Sequence, residues 1–451
     1  MRSSAMMPGA AALARPASSS SATSARMSLT GRLFISVMLI IIFEGAVRKW
    51  VAESSTLPLI LLRDVLASYM VVRAITRGHF RRLPQLATIM GAWSACVLGW
   101  GLLQLTLGES TFAVLLIGLR FWLLYFWFGL AAAVGMSERD YIVSLRVLLA
   151  TLVLMAPLAV LQHQSPPGAF INQSLDADEG SVFVVIAGVV RTTGTFSFTS
   201  GFTIFLATCA PFALGAFEAR KRKFSHRFIA LAFLGALAAC ALVSGARASI
   251  IYTGGMFAIF LLGNLVFAPM RRKGLALIAA VVAVLAVVAL VYLFQGAVEA
   301  TQQRFQVAAE SEDLVERISS IFLGERGVLD RFTWLGAGIG IGSNLAQYVQ
   351  FSGRTVFLYS ESEAGRTLIE GGLVGALFVL VKLAVVVGGI GIALKRSLQT
   401  KAVFPILVWI AISLALITWP VIGQLTANGM FGVLLALGFL SLRYPTLRLF
   451  G

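Results

Sequence analysis

Apolar runs of about twenty residues recur along most of this chain, and that single feature leaves one fold class open. A helix needs ~20 mostly apolar residues to cross the hydrocarbon core of a bilayer. Runs of that kind occupy 33–51, 57–76, 86–106, 111–135, 141–161, 198–217, 227–244, 248–268, 274–295, 366–394, 403–420 and 427–442. The expectation is therefore an all-α, polytopic membrane helix bundle of about twelve transmembrane helices. Composition agrees. Of the 451 residues, 58% are hydrophobic and only 12% charged, and the mean hydropathy is +0.89, far from a soluble domain. Residues 1–30 differ: they are rich in Ala and Ser, carry Arg2, Arg15 and Arg26, and contain no acidic residue. No cleavable apolar core precedes the first run, so this stretch is expected to be a disordered cytoplasmic tail rather than a signal peptide. Residues 31–451 form one transmembrane domain.

The net charge of +16 would fit nucleic-acid binding if the basic residues formed a continuous surface. They sit instead in short clusters between apolar runs: Arg73, Arg77, Arg81 and Arg82; Arg220, Lys221, Arg222, Lys223 and Arg227; Arg271, Arg272 and Lys273; Lys395, Arg396 and Lys401. Such clusters mark cytoplasmic loops, and one phase through all the runs puts both termini inside. No nucleic-acid partner is expected. The same phase leaves two long segments outside, 162–197 and 296–365. The second holds Leu314, Ile318, Ile321 and Phe322 at helical spacing among Glu310, Glu312, Asp313, Glu316 and Arg317, the pattern of an amphipathic helix. It also holds an alternating run, Gly336, Gly338, Gly340 and Gly342. That spacing is not GxGxxG and no βαβ pattern surrounds it, so backbone flexibility or close approach is the better account than a nucleotide loop.

Metal and hydrolase chemistry find little support. Cys96, Cys209 and Cys240 lie inside apolar runs, and His79, His163 and His226 form no HExxH or Ser-His-Asp arrangement. The informative charges are four arginines at the outer ends of runs: Arg191, Arg247, Arg354 and Arg366. An arginine near lipid needs a partner, and an anion such as a diphosphate suits the guanidinium fork. Arg247 lies on a very short turn that limits its hydration, and Glu44 or Glu370 is the alternative partner. Glu361, Glu363 and Glu370 accompany Arg366. Glu363, Arg366 and Glu370 share one helix face by spacing, which allows either a local salt-bridge set or a carboxylate base beside a reaction centre. Near the first two runs, Glu44–Arg63 and Asp64–Arg48 are the expected pairings.

The stretches RTTGTFSFTSG at 191–201, SGARAS at 244–249, WLGAGIGIG at 334–342 and ESEAGRTLIEGGLVG at 361–375 together resemble the bacterial O-antigen polymerase and O-antigen ligase superfamily. FEGAVRKW at 43–50 with LPLILLRD at 57–64 is similar to a subgroup of it. The resemblance covers most of the chain after residue 30 through the order and spacing of these strings. It implies a multi-pass protein of the bacterial inner membrane that transfers a glycan from a polyprenyl-diphosphate-linked donor to an acceptor hydroxyl, by inversion, with no cofactor and no metal. Arg191 and Arg247 match the family's two recurrent arginines, and Arg354 followed ten residues later by Gly365 resembles a spacing of the polymerases. Arg191, Arg247, Arg354 and Arg366 are thus the implied diphosphate contacts, and Glu361, Glu363 and Glu370 the candidate catalytic carboxylates. Membrane lipids and other polysaccharide-assembly proteins, such as a chain-length regulator, are the implied partners. The ligases carry a histidine in the large outer loop; 296–365 contains none, which favours a polymerase over ligase-type transfer. The alternative of another class is a lipid-linked glycan flippase or transporter.

Overall fold

The computed structural model describes residues 26–173, 190–219, 223–267, 314–346, 360 and 362–450, with isolated helical positions between 274 and 306. The described residues form helices α1 (Leu29–Trp50), α2 (Thr56–Thr76), α3 (Pro84–Thr106), α4 (Phe112–Gly135), α5 (Glu138–Gln164), α6 (Thr199–Glu218), α7 (Phe224–Val243), α8 (Arg247–Phe267), α9 (Leu314–Leu323), α10 (Glu363–Gly371), α11 (Leu373–Thr400), α12 (Phe404–Thr418) and α13 (Leu425–Arg443). Among them, nine are long and apolar enough to cross a membrane. The chain is a multi-pass membrane protein with an all-helical fold. α2, which carries Arg63, Asp64 and Arg73, and the shorter α12 pack in the same bundle. The run at 274–295 lies largely outside the described residues, so the expected twelve spans stand here as nine helices of spanning length among those described. α9 falls on the predicted amphipathic segment.

α6 and α13 lie at the centre, where Phe202, Phe205, Met430 and Leu434 are fully buried. α3 and α8 stand at the periphery and turn Leu102, Leu103, Leu262 and Val266 outward, as lipid-facing helices do. Capping locates the ends. At one end Ser28 bonds to Asp140 and Arg146 donates to Leu449 O. Arg82 donates to Val134 O, Arg396 to Leu442 O, and the Glu218 carboxylate accepts from the amides of Val403 and Phe404. Both ends of the described chain and its basic clusters therefore share one face of the bundle. The opposite face carries the turns after α1, α5, α7 and α12, and the 334–346 loop.

One predicted span is corrected. The run 366–394 is not continuous: Gly372 adopts φ 52°, ψ −122°, which ends α10 and starts α11 at Leu373. α10 then folds back along α11, and a Cβ on Gly375 would lie 2.1 Å from Thr367 O. Arg366 and Glu370 thus belong to a short separate helix.

The pairing expectations divide. Arg63, fully buried, donates through Nη1 to both Glu44 oxygens at 2.7 Å. Asp64 does not meet Arg48. It accepts from Arg120 Nε at 2.8 Å and Tyr125 at 2.9 Å, while Arg48 Nε donates to Thr56 Oγ1 at 2.8 Å. Arg120 opens a π-helical turn, Arg120–Leu124, inside α4, which swings its side chain across to α2. Arg120 Nη1 also donates to Asn428 Oδ1 on α13 at 3.2 Å. Two acids and two guanidinium groups thereby neutralise one another inside the bundle.

Candidate functional site

Two polar assemblies lie on the face opposite the basic clusters. The first is built on 191–198. Gly194, at φ 56°, turns the segment so that Lys49 Nζ, at the end of α1, donates to Thr193 Oγ1 at 2.8 Å and to Gly194 O at 2.9 Å. Gln162, at the end of α5, binds Gly194 from the other side: its Nε2 donates to Gly194 O at 3.1 Å, and its Oε1 accepts from Gly194 N at 2.8 Å. Thr195 Oγ1 donates to Ile42 O, and Thr192 Oγ1 donates to Val243 O at 3.3 Å. Gly45 is needed for this approach, since a Cβ there would fall 2.5 Å from Ser197 N and Thr195 O. The FEGAVRKW and RTTGTF strings are thus two halves of one clasp.

That clasp presents Arg191 beside Arg247. Burial first, and the Arg247 charge second, pull the Arg191 guanidinium below its ordinary value. Like charges held in range of each other favour an anion between them. Glu44 is engaged by Arg63, and Glu370 by loop amides.

The second assembly joins the glycine run to α10. Gln104 reaches in from α3, donating to Leu335 O at 2.7 Å and Glu370 O at 2.9 Å and accepting from Ile339 N at 2.9 Å. Gly340, at φ 97°, lies so close to α4 that a Cβ would stand 2.5 Å from Gly118 N. The Glu370 carboxylate then takes Gly340 N at 3.0 Å, Gly342 N at 2.8 Å and Trp122 Nε1 at 3.3 Å. The run is a close-packed backbone gripped by a carboxylate. Below it, Glu363 Oε1 accepts from Ile422 N at 2.9 Å, in the turn between α12 and α13. Arg366 donates to Ser360 O and packs on Gly423, where a Cβ would come within 2.0 Å of its Nη1. Glu325 accepts from Ser360 Oγ and Ser362 N; partial burial pushes its carboxyl up, but these bonds outweigh it and leave it below the usual range.

No family model matches the chain, and no curated protein matches it.

The structure places Arg191 within electrostatic range of Arg247, and separately gathers Glu363, Arg366 and Glu370. Tyr252, just over one turn into α8, bonds to Thr418 at the end of α12, four residues before Ile422. Arg354 and Glu361 lie outside the described residues. Among the described residues no group of three or more His, Cys, Asp or Glu side chains is placed to hold a metal ion. Sequence reasoning missed Lys49, Gln104, Trp122, Gln162 and Glu325 as site-building residues. Only Lys49 had a visible signal, as a lysine closing an apolar run, and the rest act on segments far away in the chain.

Proposed function

We propose that this protein is a membrane glycosyltransferase that polymerises polyprenyl-diphosphate-linked oligosaccharide repeat units for a surface or exopolysaccharide, acting on the outer side of a bacterial inner membrane. One observation carries the reading: Arg191 and Arg247, from segments more than fifty residues apart, share one locale on the face away from the basic clusters, and both sit in the strings that resemble the O-antigen polymerase and ligase superfamily. In this reading the pair holds the donor diphosphate. Charge builds on the diphosphate as the bond to the anomeric carbon breaks, and fixed guanidinium groups stabilise that charge. Arg366, on α10, is a further contact from the second assembly.

The test uses purified protein in detergent micelles supplied with lipid-linked repeat units. A polymerase yields a ladder of chain lengths with no second compartment; a flippase yields none. Each guanidinium contact contributes roughly 1.5–3 kcal/mol, so Arg191→Ala and Arg247→Ala are each expected to slow chain growth about 10- to 100-fold. Wild-type ladders from properly inserted variants would overturn the reading.

A further inference from the structure

Around the turn from α12 to α13, two acceptor oxygens are buried without a donor among the described residues. Glu363 is 5% exposed; Ile422 N–H engages its Oε1, and its Oε2 has no hydrogen-bond partner among the described residues. Asn344 donates its backbone N–H to Gly423 O at 2.9 Å, one residue further along the turn, and its Oδ1 is likewise buried and unmet. Lys382, 8% exposed on α11, and Arg366 on α10 both act electrostatically on the Glu363 carboxylate. A buried acceptor left without a donor is costly, more so when charged. Glu370 offers the contrast, with both oxygens taken by amides and an indole.

We propose that Glu363 Oε2 and Asn344 Oδ1 receive the hydroxyl groups of the acceptor saccharide, and that Glu363 is the proton acceptor for the attacking hydroxyl. This rests on the polymerase reading above and assigns the base within it. The acceptor O–H bond breaks and its proton passes to Glu363. The oxygen's electron pair forms the new bond to the donor's anomeric carbon. The bond from that carbon to the diphosphate oxygen breaks, and the polyprenyl diphosphate leaves with the bonding pair, held by Arg191 and Arg247. Water then removes the proton from Glu363. Glu370 takes no proton in this scheme; it holds the glycine loop.

The experiment uses the full-length protein in micelles, a lipid-linked repeat unit as donor, and a soluble repeat-unit oligosaccharide bearing the acceptor hydroxyl. Glu363→Gln keeps the shape and the contact to Ile422 N–H. It is expected to lower kcat about 100-fold or more, with donor KM within about twofold and partial recovery in Glu363→Asp. Asn344→Ala is expected to raise acceptor KM about tenfold while leaving donor KM near wild type. If Glu363→Gln turns over at the wild-type rate, Glu363 is a buried structural carboxylate only and the assignment fails. If Glu363→Gln does not fold, Asn344→Ala decides, and an unchanged acceptor KM overturns the acceptor site. A wild-type protein that makes no ladder sinks the polymerase reading itself. Ladders lost in the arginine variants but intact in Glu363→Gln and Asn344→Ala sink only this inference.

Discussion

Glu370 is ringed by three donors: Gly340 N–H, Gly342 N–H and Trp122 Nε1–H all point at it. Such a carboxylate closes a loop. Its removal strands two buried amides and an indole, each costing about 1–3 kcal/mol unmet. Glu370→Ala is therefore expected to destabilise the protein by about 3 kcal/mol or more, read as a lowered denaturation midpoint in detergent, with Glu370→Gln intermediate because its carbonyl still accepts. An unchanged midpoint in Glu370→Ala would refute the clasp. The sequence exposed Glu370 as a charge beside Arg366, and the glycine run as backbone made for close approach. It did not expose their union, because Gln104, Gly118 and Trp122 lie more than two hundred residues before the loop they grip, and side-chain period carries no information across such a gap. Lys49 is a similar case: its charge was visible at the end of a run, but the Gly194 carbonyl it holds was not.

At the scale of elements, the four-charge network ties α1, α2, α4 and α13 together at Glu44, Arg63, Asp64, Arg120 and Asn428. Charged side chains within membrane helices are expensive unless paired, which is why Glu44–Arg63 was legible: two opposite charges in successive runs have few other partners. The Asp64 partner was not legible, since the π-helical turn at Arg120 shifts the face of α4 and no helical period foretells such a turn. The network also bears on the clasp. Glu44 precedes Gly45 on α1, and the register that Arg63 enforces on Glu44 is the register that brings Gly45 against 195–197. Breaking one partner of a buried pair costs about 3–5 kcal/mol, because it leaves the other charge uncompensated. Glu44→Ala is expected to lose folded, inserted protein on that scale, and the double variant Glu44→Ala with Arg63→Met to recover part of it. A double variant as poor as the single one, measured by detergent-stable yield and unfolding midpoint, would show that the pair is not the coupled unit proposed.

For the whole molecule, the helical membrane class was the most legible property and continuity the least. Long apolar runs became helices with ends displaced by a few residues, yet the run 366–394 hid a break, because Gly372 looks like any glycine until its φ of 52° is known. Orientation follows from how charge is sorted between the two faces. Arg73, Arg77, Arg81, Arg82, Lys223, Arg227, Lys395, Arg396, Lys401 and Arg443 gather toward the face that also carries both described ends of the chain, and short basic loops stay in the cytoplasm. Under the proposed function the Arg191–Arg247 face is external, and the sorting of charge agrees with that proposal. Single cysteines test this. Cys96, Cys209 and Cys240 are replaced by Ala first, Cys209 and Cys240 being buried. Glu109→Cys and Gly168→Cys, both exposed positions on the Arg191–Arg247 side, are expected to react with a membrane-impermeant maleimide in intact cells. Arg81→Cys and Lys223→Cys, exposed on the basic side, are expected to react only after permeabilisation. The reverse pattern would place the arginine pair in the cytoplasm, where the basic clusters should be, and would remove the topological basis for an external diphosphate site. A mixed pattern, with one position of a pair on each side, would mean that the two faces do not lie on opposite sides of the membrane.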